Sequence, residues 1–107
     1  MKRTILICDD EKNIREGLAL AMQGEGYATL TAENAEKAWD LVNKEDVDLV
    51  ITDLRMDGMG GEELLKRIHG AYPQLPVIIL TGHGTIETAV VAMRDGAIDF
   101  FTKPVDL

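Results

Sequence analysis

The chain predicts an α/β domain built on a parallel sheet, and three observations say so. Short, unbroken apolar runs recur along it. Amphipathic stretches alternate with those runs. Polar residues stand where each run stops. A strand buried on both faces reads as a continuous apolar run. Strand and helix in alternation imply parallel strands joined by right-handed crossovers.

The elements follow in order. Ile5-Leu6-Ile7-Cys8 is the first apolar run, and a helix is expected from Lys12 to Gly24. Ala28 to Thr31 is a weaker strand. The next helix, Asn34 to Asn43, places Ala35, Ala38, Trp39 and Val42 at i, i+3, i+4, i+7 spacing, which makes one apolar face. Asn34 suits its N-cap. Leu49-Val50-Ile51 repeats the strand pattern, followed by a helix from Gly61 to Ala71. Val77-Ile78-Ile79-Leu80 is the fourth strand. The fourth helix runs from Thr85 to Asp95, with Thr85 as a cap and Gly96 just past its end. Phe100-Phe101 marks a fifth strand, and no helix follows it. No linker, internal repeat or low-complexity segment interrupts the series.

Composition narrows the function. The 107 residues make one domain, with 46% hydrophobic residues and a net charge of −8. That charge excludes nucleic-acid binding by this segment, which would need a basic face. No apolar run approaches the ~18 residues of a membrane span. Met1-Lys2-Arg3 precedes an apolar stretch, but Asp9 interrupts it too early for a signal peptide. The single cysteine, Cys8, forms no internal disulfide and suits a small buried apolar role in a cytoplasmic protein.

The chemistry lies at the ends of the runs. Asp9-Asp10 ends the first, Asp53 follows the third, Thr81 ends the fourth and Lys103 the fifth. In an open parallel sheet the C-terminal strand ends border the ligand crevice, so three carboxylates and one ammonium should converge there. Clustered carboxylates repel unless a cation binds, and oxygen-only ligands suit Mg²⁺. A carboxylate can attack phosphorus and form an aspartyl phosphate. Thr81 offers a hydroxyl, and Lys103 a point charge, to phosphoryl oxygens. Taken singly, Asp9-Asp10 could open a helix, Asp53 could be a turn residue, Thr81-Gly82 a loop start and Lys103 a surface residue. Their joint order at successive strand ends favours a phosphoryl-acceptor site on Asp53.

These motifs give the chain a resemblance to the receiver domains of bacterial two-component response regulators. The residues that carry it are Asp9-Asp10, the run Ile51-Thr52-Asp53-Leu54-Arg55-Met56, Thr81-Gly82 and Lys103-Pro104. The resemblance spans Lys2 to Leu107. It implies a flavodoxin-like, doubly wound five-stranded sheet in the order 2-1-3-4-5, here without the family's last helix. It implies Mg²⁺ ligated by Asp10, Asp53 and the backbone carbonyl of Arg55, with Asp9 acting mostly through water. It implies a phosphoryl group donated by a sensor histidine kinase, a cis Lys103-Pro104 bond, and an aromatic switch at Phe100 coupled to Thr81. Arg55 and His83 fall where the family tunes hydrolysis of the phosphoaspartate. Gly82-His83-Gly84 and the stretch Ala92 to Phe100 further resemble receivers of nitrogen-regulation-type transcriptional activators. The chain would then be the N-terminal part of a longer regulator with a transcriptional output domain, acting as a homodimer.

Some positions depart from the family or have plain readings. Asp57 stands where many receivers have proline, and Asp57-Gly58-Met59-Gly60-Gly61 holds three glycines, which implies a more mobile loop. Phe101 competes with Phe100 for the switch position. His69 suits a helix end, Trp39 the core, and the Glu62-Glu63 and Glu33/Glu36 clusters solvated helix faces. Other classes are disfavoured. A haloacid-dehalogenase-type phosphatase would have a second Asp where Arg55 stands. A flavin carrier would have a phosphate loop where Asp9-Asp10-Glu11 would repel one. A receiver that only binds partners would not need the full acidic set and Lys103.

Overall fold

Five strands, β1 (Thr4–Cys8), β2 (Ala28–Ala32), β3 (Leu49–Thr52), β4 (Val77–Thr81) and β5 (Asp99–Thr102), form one parallel sheet. Their order is β2-β1-β3-β4-β5. Four helices connect them: α1 (Lys12–Gly24), α2 (Ala35–Lys44), α3 (Gly61–Ala71) and α4 (Ile86–Arg94). The structure, a computed structural model, describes residues 2–56, 58–82 and 84–104.

The apolar runs are unbroken because the central strands are covered on both sides. Leu6, Cys8, Val50, Val77 and Ile79 face α2, α3 and α4, where they pack with Ala35, Ala38, Val42, Leu64, Leu65, Ile68 and Ala92. Ile5, Ile7 and Leu80 point to the opposite face, where Leu18 and Ala19 of α1 cover them. Truncating one of the large buried side chains to alanine would cost about 2–5 kcal/mol. Among the described residues, α1 alone lies over the second face, the smaller of the two cores. β5, at the sheet edge, stays largely exposed, with Phe101 at 47% and the preceding Ile98 at 56%.

Caps set the helix boundaries. The Asn34 side chain accepts from Lys37 N–H at 2.7 Å, so α2 begins at Ala35. Thr85 accepts from Thr88 N–H at 3.0 Å and donates its own N–H to Thr88 Oγ1 at 2.8 Å, a reciprocal cap that starts α4 at Ile86. Trp39 lies part-buried against the core, its ring tilted 57° to that of Tyr72 at 6.2 Å between centroids. His69 stands in the last turn of α3 as expected, with its ring laid over Gly96. The Lys103-Pro104 bond is cis.

Candidate functional site

The sheet continues one residue past several of its strands, and those extra residues form the site. Asp9 N–H donates to Ala32 O at 3.1 Å, Asp53 N–H to Cys8 O at 3.1 Å, and Lys103 N–H to Thr81 O at 2.9 Å. Asp9, Asp53 and Lys103 are therefore held by main-chain bonding at the C-terminal edge of the sheet. Strand order brings them together: β1 lies beside β3, β3 beside β4, and β4 beside β5.

Lys103 closes the arrangement. Its Nζ lies 2.8 Å from Asp9 Oδ2 and 2.8 Å from Asp53 Oδ2, with Glu11 Oε1 further off at 3.9 Å. Asp9 and Asp53 are only 2% and 4% exposed. Asp9 spends its other oxygen on Glu11 N–H at 2.9 Å, while its carbonyl accepts from the Arg15 guanidinium at 2.8 Å. Asp53 Oδ1 accepts from Arg55 N–H at 3.2 Å. Burial works against the charge on Asp53. Hydrogen bonds from Lys103, Thr81 and the Arg55 N–H outweigh it and hold the carboxyl below the usual aspartate range. Burial likewise disfavours the ammonium of Lys103, but Asp53 and Asp9 raise its pKa above the ordinary lysine value.

Asp10 is exposed, and no ion pair reaches it among the described residues. One oxygen each from Asp9, Asp10 and Asp53 lies within 4.8 Å of the others. This hard, oxygen-only donor set fits Mg²⁺. Three carboxylates against one ammonium leave negative charge that a divalent ion would offset. Cys8, beside them, is no nucleophile. Burial, aided by the neighbouring carboxylates, pushes its thiol up to about 12.

The β3–α3 loop returns closely past Asp53. Gly61 N–H donates to Leu54 O at 2.9 Å. A methyl group on Gly61 would collide with the backbone carbonyl of Asp53, so only glycine fits there. Phe100 is part-buried against the main core, and a methyl group on Gly84 would stand 3.0 Å from its ring. Phe100 thus touches the loop that follows Thr81, whereas Phe101 is exposed. Asp57 and His83 lie outside the described residues.

Some contributors escaped the sequence reading. The buried Thr52 hydroxyl donates to Asp53 O at 3.0 Å, and Arg15 holds the Asp9 carbonyl. Glu36, expected on a solvated helix face, accepts from Met59 N–H at 3.1 Å. None of these contacts leaves a periodic trace.

The family profile described as the response regulator receiver domain matches residues 5–107. The chain is a response-regulator receiver domain. Its relatives include the transcriptional regulatory protein GlrR of Escherichia coli (strain K12), 46% identical over 95% of this chain and 23% of that protein. The DNA-binding transcriptional regulator NtrC of the same strain is 39% identical over 100% of this chain and 23% of its own length. The chain thus spans about a quarter of the length of these relatives, and the nitrogen-regulation-type resemblance holds. Among solved structures, a response regulator protein from Burkholderia pseudomallei with a phosphorylated aspartic acid, calcium ion and citrate superimposes with a TM-score of 0.91. It is 30% identical, over 98% of this chain and 62% of that one. The receiver is a phosphorylation-dependent signalling switch, and the phosphatase alternative is not favoured. No helix among its described residues is long and apolar enough to cross a membrane.

Proposed function

We propose that this receiver takes a phosphoryl group on Asp53 from the phosphohistidine of a sensor kinase and passes the signal to a transcriptional output domain. The observation that carries the reading is the convergence of Asp9, Asp10, Asp53, Thr81 and Lys103 at one sheet edge. A carboxylate oxygen of Asp53 attacks phosphorus, a P–O bond forms, and the donor's P–N bond breaks. The leaving imidazole takes up a proton.

The chain's own groups divide the work. Asp10, Asp53 and the Arg55 carbonyl would hold Mg²⁺. Asp9, already engaged by Lys103 and Glu11 N–H, would act mostly through water. When bound, Mg²⁺ shields the charges of nucleophile and phosphoryl group. Lys103 moves its ammonium from Asp53 to a phosphoryl oxygen, and the Thr81 hydroxyl follows the new charge. Phe100, against the loop beyond Thr81, repacks in response. By the resemblance, Arg55 and His83, two residues past Asp53 and Thr81 in the sequence, would tune hydrolysis. The calcium ion and phosphorylated aspartic acid of the Burkholderia pseudomallei protein support this chemistry on the same fold. We place the domain in the cytoplasm, at the N-terminus of a longer regulator.

Incubation with Mg²⁺ and acetyl phosphate, borohydride trapping and peptide mass spectrometry test the acceptor. Asp53 should carry the trapped adduct. Stoichiometric labelling of Asp53→Asn would sink the assignment.

A further inference from the structure

We propose that Glu36, on the first turn of α2, is a positioning residue that holds the β3–α3 loop in its metal-competent form. The inference rests on the reading of Asp53 as acceptor and the Arg55 carbonyl as a ligand.

The loop is fixed at its base and at its tip by different means. At the base, Gly61 is bonded to Leu54 O and pressed against the Asp53 carbonyl. Near the start, Met56 sulfur lies 3.6 Å from Cys8 Sγ. At the tip, Met59 N–H donates to Glu36 Oε1 across 23 residues of sequence. Gly58 has φ +79°, and a Cβ there would stand 2.9 Å from Glu36 Oε2. The carboxylate therefore lies directly over Gly58, whose positive φ favours glycine.

No proline stiffens this loop, and its glycines leave the tip free to wander. A hydrogen bond from a backbone N–H to a carboxylate is among the stronger kinds. Glu36 makes no ion pair among the described residues, so this bond is its one specific attachment there. The restraint reaches the chemistry through Arg55, whose N–H already bonds the acceptor carboxylate at 3.2 Å. If the tip is released, Arg55 and Met56 on one side and Gly58 and Met59 on the other spend part of their time in other conformations. Apparent metal affinity then falls in proportion to the competent fraction.

The test compares wild type, Glu36→Ala and Glu36→Gln, which loses the charge but keeps an acceptor oxygen of the same reach. Mg²⁺ affinity by calorimetry, the rate of labelling by acetyl phosphate and amide exchange at Met59 without metal are measured. Glu36→Ala should weaken Mg²⁺ binding about three- to tenfold. It should slow labelling only below saturating Mg²⁺ and speed Met59 exchange. Glu36→Gln should stay within about twofold of wild type in all three. If the two variants weaken binding equally, lost charge explains the effect and the proposal falls. Unchanged Met59 exchange in Glu36→Ala overturns the tie itself, whether or not Asp53 labels. Wild type that fails to label at Asp53 overturns the acceptor reading instead.

Discussion

Lys103 is the residue on which the charge balance of the centre turns. It is the only cation shown pairing with Asp9 or Asp53 among the described residues. Lys103→Ala would leave two buried carboxylates facing each other and should cost about 3 kcal/mol in urea unfolding at neutral pH with EDTA present. The pH dependence has a definite sign. The folded pKa of Asp53 is depressed, so its share of stability is full above the ordinary value of 3.8 and lost as pH falls through the folded one. The folded pKa of Lys103 is raised, so its share is full below 10.5 and lost as pH rises through the folded value. The gap between wild type and Lys103→Ala should therefore be flat across neutral pH and close in strong acid. A gap that widens on acidification would refute this account. Asp10 makes the opposite case. It adds charge to the cluster without a cation of its own, so Asp10→Asn should stabilise the metal-free protein by about 1 kcal/mol. The same variant should lose most of the rise in thermal midpoint that wild type gains from Mg²⁺. If Mg²⁺ stabilises both proteins equally, Asp10 is not a ligand.

β4, β5 and the loop into α4 are the elements that would relay the signal. Thr81 ends β4 beside Asp53, and the following loop touches the ring of Phe100 on β5. Thr81→Ala should still bind beryllofluoride, yet lose most of the NMR shift changes around Phe100 and α4. Full shifts in that variant would put the coupling elsewhere. The same elements show what sequence could and could not convey. β1, β3 and β4 were legible as apolar runs because both of their faces are covered. α1 and α3 were legible to the residue from their amphipathic patterns alone, without a side-chain cap, and α2 and α4 to within one position from the caps Asn34 and Thr85. β5 left only Phe100-Phe101, since an edge strand that is mostly exposed has no need of an apolar run. Asp53, the acidic pair and Lys103 were legible because each ends a run. The Glu36–Met59 bond was not, since a side chain reaching a distant loop obeys no period. The glycine-rich loop, expected to be mobile, is tied at Gly61 and Met59 among its described residues.

The domain has an uncovered side. Ile86, Val90, Ile98 and Phe101 are all exposed on α4 and around β5. A cleft of about 170 Å³, lined in part by Ile14, Leu18, Leu80 and Pro104, opens between α1 and the end of β5. Exposed apolar patches and open strand edges favour association. A chain lengthened by an amphipathic helix of about 12–15 residues should bury these groups. It should melt at least about 5 °C higher and sediment as a smaller assembly than the 107-residue form. Equal midpoints and a monomeric 107-residue form would show that the uncovered side is no deficit. Val105 lies outside the described residues. The bridge from Lys103 to Asp9 has one more consequence, and it concerns synthesis. The carboxylates belong to the first and third strands and the ammonium follows the fifth, so a growing chain exposes its anions long before their cation. A nascent sheet of β1, β2 and β3 already brings Asp9 and Asp53 together, and their repulsion opposes its settling. Adding β4 and β5 removes that opposition. The charged centre that receives the signal thereby also favours completion of the sheet, and a translation product that stops short of Lys103 would offer a kinase no finished acceptor.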